Sequence, residues 1–465
     1  MNKILYILLI GAVLITTHVS GQENTLLSLD SFLNNVKTNH PIAKIAALEN
    51  DKAAANLTFA KSGFDPELKV ESSNKTFGGN NYYQYYNPEL RYTTPFGIDV
   101  KAGIEENKGN KLSSEESFGQ TSYLGIEASL GKGFLIDKKR ATLKQAKILL
   151  QQSKYERQKI LNDLLLDAKM TYWNWAAAYK AFQNYSNTLQ LAKKRQELIS
   201  IAYIHGDRSE MDTIESFSQY QQIVLLQNEA AIKLNNAKYE LLSFLWKDND
   251  AYSELNEKTV PDTVEFGLKK YLPSLKDLLE HVGISNPALA TYDYKLKALD
   301  IERKLKLQSF LPTLDVKANI LNKGYNVTNK IENNFLENNY KWGIKFKVPL
   351  FFREARGEYL KTKFKIQETT LERELKTKQI ENKINGYYKE AQILYNQLNT
   401  IQENIAGLSM LLKAEGMKFN NGESSLFMIN SREVKLMETQ QKEIELRLKY
   451  HKAIIFLEWS AGISH

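Results

Sequence analysis

Cysteine is absent from all 465 residues. The chain therefore closes no disulfide, and it has no thiol for an N-terminal acyl anchor. Proline is scarce, nine in all, which leaves room for long uninterrupted helices. Histidine is scarcer: His18, His40, His205, His281, His451 and His465 are scattered along the chain. No His-Glu-x-x-His, no Gly-rich phosphate loop and no Gly-x-Ser-x-Gly occurs. No catalytic, cofactor or metal site is expected, and the chain does not read as an enzyme. After the N-terminus no apolar run reaches the roughly 18 residues of a spanning helix. Crossing a membrane would then require a closed β-barrel, the other structure that satisfies its backbone in lipid. Nor does one charge dominate. The 62 basic and 54 acidic residues intermingle, so the formal +8 describes a mixed surface, and no nucleic-acid partner is expected.

What is present begins with a leader. Lys3 supplies a positive start, Ile4 to Ile15 form an apolar run, and Val19-Ser20-Gly21 provides small residues before a polar stretch. Residues 1–21 are expected to be a secretory signal peptide cleaved before Gln22, so that the mature chain leaves the cytoplasm.

The remainder repeats its own plan. Pro41 and Pro66 recur as Pro287 and Pro312 after a shift of 246, with Phe64, Leu68 and Val70 landing on Phe310, Leu314 and Val316. Further on the shift is 216, and Arg140, Tyr172, Tyr179 and Gly206 match Arg356, Tyr388, Tyr395 and Gly422. The difference, 246 − 216 = 30, places an insertion in the first copy between Pro66 and Arg140. One supersecondary module is used twice.

In the first copy, Leu26 to Lys37 reads as a short amphipathic helix and His40-Pro41 opens an Ala-rich one. Its small residues suggest a close helix neighbour. From Pro66 to about 131 short alternating segments broken by Gly-Gly-Asn and Pro-Phe-Gly read as strands. Six aromatic residues, Tyr82, Tyr83, Tyr85, Tyr86, Tyr92 and Phe96, crowd this stretch. They suit either a membrane-interface girdle or the core pairs of a soluble sheet. Asp137 to His205 is helical almost without a break, about 100 Å at 1.5 Å per residue. Gly206 turns the chain, and a return helix runs from about Ser209 to Trp246. Ile223, Ala230, Ala237 and Phe244 form one heptad seam on it, and Tyr220, Gln227, Leu234 and Leu241 a second. Two seams require packing partners on two sides. Residues 248–273 read as an irregular connector, and 274–462 replay the order, with strands at about 313–348 and a turn at Gly422.

Four features resemble the TolC-like outer-membrane efflux proteins. They are the His40-Pro41 and Asn286-Pro287 helix starts, the strand openings at Pro66 and Pro312, and the run from Trp342 to Phe351 before a long helix. The fourth is the Lys418-Phe419-Asn420-Asn421-Gly422 turn, with a last helix ending Phe456-Leu457-Glu458-Trp459. The resemblance covers residues 24–461. It implies a mainly α fold with β, in which a homotrimer builds one outer-membrane β-barrel continued by a long periplasmic α-helical barrel. It also implies a passive exit duct in contact with outer-membrane lipid, serving a periplasmic adaptor protein and an inner-membrane transporter of an efflux pump or type I secretion system. The alternative is a periplasmic coiled-coil adaptor or structural scaffold without a channel, which predicts one helical hairpin rather than two.

By the same resemblance the two glycine turns lie at the periplasmic end, and Tyr203, Gly206, Asp207, Arg208, Phe419, Gly422, Glu423 and Ser424 form the adaptor-contact surface. The family's carboxylate ring, six and nine residues after the second turn, falls here on Met428 and Ser431 and is not matched. Asp212 and Glu215 hold those offsets after Gly206. Threefold repetition would make them a ring favouring cations; helix-start charges facing the dipole are the other reading. Met428 could instead supply an apolar constriction.

Overall fold

The computed structural model describes residues 25–247, 255, 258–268, 272–324 and 339–463. The expected leader, part of the connector and the Asn-rich segment after Gly324 lie outside them. The first half runs β1 (Thr25–Leu27), α1 (Leu29–Asn39), α2 (Pro41–Lys61), β2 (Glu67–Phe77), β3 (Asn80–Thr93), β4 (Ile98–Lys108), β5 (Gly119–Ser129), α3 (Lys138–Ile204) and α4 (Glu210–Leu242). β6 (Thr259–Pro261) and α5 (Thr263–Gly267) follow. The second half runs α6 (Leu275–Ser285), α7 (Pro287–Gln308), β7 (Thr313–Lys323), β8 (Tyr340–Lys347), α8 (Arg353–Asn420) and α9 (Leu426–Ala461). No described helix is long and apolar enough to cross a membrane.

Two stretches differ from the sequence reading. The helix expected from Leu26 begins only at Leu29, because Thr25–Leu27 pairs in parallel with Thr259–Pro261 and Ser28 accepts the Ser31 N–H as N-cap. The supposedly irregular connector therefore holds a strand and a helical turn. Asp262 caps that turn through the Val264 and Glu265 N–H groups. Phe266 is buried against Trp173 and His451, which fixes the segment in place.

The described residues form two compact units that cut across both halves. One comprises Ile45–Leu161 and Lys276–Asn382. It contains a six-stranded antiparallel sheet in the order β2-β3-β4-β5-β7-β8. The inserted hairpin thus sits within the sheet, as β2 to β5 form a meander before β7 joins β5. Alternation along each strand sorts the two faces. The row Leu68–Leu90–Ala102–Leu124–Ile320–Tyr340 is apolar from edge to edge. The adjacent row, on the opposite face, reads Glu67–Arg91–Lys101–Gly125–Asn319–Lys341. The tyrosine cluster divides between them: Tyr86 and Tyr92 lie on the apolar face, and Tyr83 and Tyr85 stack at 4.7 Å on the polar one.

The polar face is organised by close approaches. Tyr123 lies across Gly103, where a Cβ would come within 2.5 Å of its ring, and its hydroxyl donates to Glu89 at 2.6 Å. Lys101 pairs with Glu127, and Arg91 with Glu89 at 3.3 Å. Below the sheet, Ala46, Ala53 and Ala60 form a buried small-residue seam on α2. Ser153 of α3 donates to Asn50 of α2 at 3.0 Å, and Tyr155 packs on Tyr294 of α7. Arg373 of α8 holds Asp293 of α7 at 2.7 Å. The β3–β4 turn meets the start of α3: Lys139 donates to Thr93 at 3.2 Å and Arg140 to the Phe96 carbonyl at 3.4 Å.

The second unit comprises Met1–Lys44, Asn162–Leu275 and Lys383–His465. Its core surrounds α3, where Tyr172, Trp173 and Trp175 are buried. The Tyr172 hydroxyl donates to the Leu27 carbonyl at 2.9 Å and accepts the Asp262 N–H, tying β1 to β6. Burial raises that phenol above its ordinary range. His451 stacks on Trp173 with ring centroids 4.1 Å apart. Ala391, Leu394, Leu398 and Ile401 of α8 pack with Tyr450, Ala453 and Ile454 of α9. On α4 the seam Ile223, Ala230, Ala237 is buried as its spacing required. In the second seam Tyr220, Gln227 and Leu234 are half-buried and Leu241 is buried, and a third heptad stripe, Leu225, Ile232 and Tyr239, is exposed.

Candidate functional site: the paired helix turns

In the second unit the turns between α3 and α4 and between α8 and α9 come together. Each is closed in the same way. Gly206 takes φ 82° while its N–H reaches the Tyr203 carbonyl and the Asp207 N–H reaches Ala202; Gly422 takes φ 79° with its N–H on Phe419 and the Glu423 N–H on Lys418. This double bond pattern satisfies the last helical carbonyls and needs a left-handed residue, for which glycine carries no Cβ penalty. The Arg208 guanidinium lies over the Phe419 ring at 4.0 Å, joining the two turns by a cation–π contact.

The predicted gate residues are divided by their local chemistry. Asp212 closes a capping box, accepting the Ser209 N–H while its own N–H donates to the Ser209 hydroxyl, both at 3.2 Å. Its first structural job is therefore the α4 N-terminus. Glu215 accepts from the Asn430 amide at 3.1 Å. Glu215 and Ser431 line one groove between α4 and α9, of about 760 Å³, with Met211, Ile214 and Phe427. Met428 is about one-third exposed, its N–H capped by Ser425. Ser424 donates to Glu415, which also faces Arg432 at 3.8 Å.

The strongest polar contact near the turns was missed from the sequence. Arg195 of α3 grips Glu433 of α9 through two bonds of 2.6 and 2.7 Å and donates to Asn430 at 3.1 Å. The Glu433 side chain is only 8% exposed. A bidentate guanidinium–carboxylate pair of this kind fixes the distance and the angle between two helices. A signal existed. Arg195 lies 206 − 195 = 11 residues before one turn glycine and Glu433 lies 433 − 422 = 11 after the other, so antiparallel helices bring them level. Under the repeat shift of 216 the same positions are Leu411 and Phe217, both exposed. The pair is therefore made once, not twice. Among the described residues no group of three or more His, Asp or Glu is placed to hold a metal.

No family model matches the sequence, and no curated protein matches it. The backbone, in contrast, is similar to solved outer-membrane channels. The open state of the MtrE channel of Neisseria gonorrhoeae shares 12% identity and a TM-score of 0.69, over 93% of this chain and 88% of that one. The CmeC channel of Campylobacter jejuni gives 14% and 0.64, over 93% and 85%. VceC of Vibrio cholerae gives 13% and 0.63, over 93% and 96%. At such identities the likeness speaks for backbone architecture, and it spans nearly the whole chain. A duplicated strand-and-hairpin module, a two-faced sheet and paired glycine turns on these backbones make this the TolC-like outer-membrane channel fold.

Proposed function

We propose that three copies of the chain form an outer-membrane exit duct that extends into the periplasm. Cargo arrives passively from an inner-membrane transporter through a periplasmic adaptor, in an efflux pump or a type I secretion system. One observation carries this reading: a six-stranded sheet whose apolar face is left uncovered by the described residues. Leu68, Leu124, Ile126 and Ile344 on that face are each more than half exposed. In water such a face is a liability, whereas lipid is its natural solvent. The opposite, charged face then lines a wet lumen. The adaptor alternative fits poorly, because it expects one helical hairpin where two are present.

In the same reading, Tyr203, Gly206, Asp207, Arg208, Phe419, Gly422, Glu423 and Ser424 meet the adaptor. Asp212, Glu215, Met428 and Ser431 border the narrow end. Opening needs the helix pairs to part, and the Arg195–Glu433 bond joins two of the helices that would have to move. The test is cell fractionation followed by mass measurement in detergent. The expected result is a protein that sediments with outer membranes, needs detergent for release and has the mass of three chains. A monomer released by salt alone would overturn the proposal.

A further inference from the structure

We infer that the trimer closes a barrel of 3 × 6 = 18 strands, in which the β8 edge of one copy pairs with the β2 edge of the next. The inference rests on the trimeric reading above and adds the composition of the wall. It begins with chain continuity inside the sheet-bearing unit. Four strands connect directly to helices: α2 leads to β2, β5 to α3, α7 to β7 and β8 to α8. β3 and β4 connect to none. Their turn, Thr93 to Ile98, instead abuts the start of α3 through Lys139 and Arg140.

Circumference then decides what those two strands are for. Packed helices stand about 9–10 Å apart, so four of them occupy an arc of about 36–40 Å. Strands spaced about 4.8 Å apart and tilted about 40° each occupy about 6.3 Å of arc. Four strands give about 25 Å and six give about 38 Å. Only the six-stranded wall matches the helices it continues into. The extra hairpin removes the taper that four strands would force. Eighteen strands correspond to a diameter of about 36 Å between backbones, in the size class that leaves an aqueous channel. The duct is therefore suited to bulky cargo along its membrane section as well as its helical one.

The two sheet edges are complementary. β2 runs away from its helix and β8 runs towards its own, so copies related by rotation about a common axis present them antiparallel. β8 carries Trp342, Ile344 and Phe346 on the apolar face, matching Leu68 and Val70 of β2. On the polar face β8 carries Lys341, Lys345 and Lys347, whereas β2 offers Glu67 and Glu71 beside Lys69. Opposite charges across a strand pair favour it, and pairing removes two exposed edges per copy.

The lack of native cysteine makes the test clean. Ile344→Cys is combined in turn with Leu68→Cys, Val70→Cys or Ser72→Cys on β2, and with Val100→Cys or Ala102→Cys on β4, then oxidised in outer membranes. Directly opposed residues sit close enough for a disulfide. The expected result is a ladder of covalent dimer and trimer, containing most of the protein, for one β2 position and for neither β4 position. Cross-linking to β4 in an intact trimer would place β2 and β3 outside the wall and overturn the inference while leaving the duct intact. An intact trimer that cross-links to neither strand would also overturn it. A protein that is monomeric in detergent would overturn the trimeric reading itself. Should a double variant fail to assemble, counting strands in a density map of the unmodified trimer decides the same question, with 18 expected and any other number against.

Discussion

The two halves of the chain agree in their punctuation and differ in what surrounds it. Both long hairpins close on a glycine at φ near 80° with the same two backbone bonds. Both second helices begin at a proline preceded by a side chain that accepts the N–H two residues on, His40 for Ile42 and Asn286 for Ala288. Residues that set backbone conformation are retained because the same turn must form twice. Side chains diverge where each half meets a different neighbour. Arg195 and Glu433 form one ion pair, and the repeat-related Leu411 and Phe217 form none within the chain. One half brings four strands to the sheet and the other, among the described residues, two.

The largest expected effect breaks that asymmetry. Arg195→Ala leaves Glu433 buried without its partner, at a cost of about 3 kcal/mol. Leu411→Ala, at the related position of the other half, changes stability by about 0.5 kcal/mol or less in the single chain. Thermal melting of the detergent-solubilised protein compares them. The swap Arg195→Leu with Glu433→Phe imports the other half's residues and should recover much of the loss, since a packed apolar pair can replace a buried ion pair. A loss in Leu411→Ala as large as in Arg195→Ala would mean that assembly covers that face too.

Next is the contrast between the faces of the sheet. Ile344→Lys puts a charge on the apolar face and should cost about 2–4 kcal/mol if that face meets lipid. Lys345→Ile, one residue away on the polar face, should cost less, at most the roughly 0.2–1 kcal/mol of one cross-strand charge pair. Band-shift assays of unheated samples read both. Equal losses, or none, would contradict the assignment of faces.

Much of this organisation was legible in the chain. Proline and glycine mark it out because each restricts or frees the backbone locally, so Pro41, Gly206, Pro287 and Gly422 could be read without knowing their neighbours. Strand alternation carried the sheet equally well. What could not be read was what non-local packing decides. β1 and β6 are three residues each and form only because they find one another across more than 200 positions. The third stripe on α4 was missed because a heptad pattern shows that a face is apolar, not which face is covered. The Arg195–Glu433 pair, 238 residues apart, shows in the sequence only as equal offsets from the two turn glycines, which do not say that these two helices are neighbours. For Asp212 the offset alone leaves both a ring carboxylate and a helix-start charge open, whereas Ser209 three residues earlier adds the capping box.

Gly206→Ala and Gly422→Ala sharpen the agreement between halves. No atom lies within 4 Å of a Cβ at either position, so the cost is backbone strain alone, about 1–2 kcal/mol. The two melting temperatures should fall by similar amounts. A much larger loss at one turn would show that its surroundings, rather than its conformation, require glycine.

The smallest effect separates the two proline starts. His40 Nδ1 accepts the Ile42 N–H at 3.2 Å while the ring stacks on Phe244, and burial holds its pKa below the ordinary 6.5. The unfolded chain therefore binds a proton more readily than the folded one. The stability His40 contributes is fully present above pH of about 6.5 and is lost as pH falls through that value towards the lower folded pKa. Asn286 performs the same cap with an amide that does not titrate. His40→Asn should accordingly flatten the fall in melting temperature between about pH 7 and pH 5.5. Asn286→Ala should lower the melting temperature by the same amount at every pH, the loss of one cap, about 1 kcal/mol. An acid-induced fall that persists undiminished in His40→Asn would move its origin to other groups and leave the two caps equivalent.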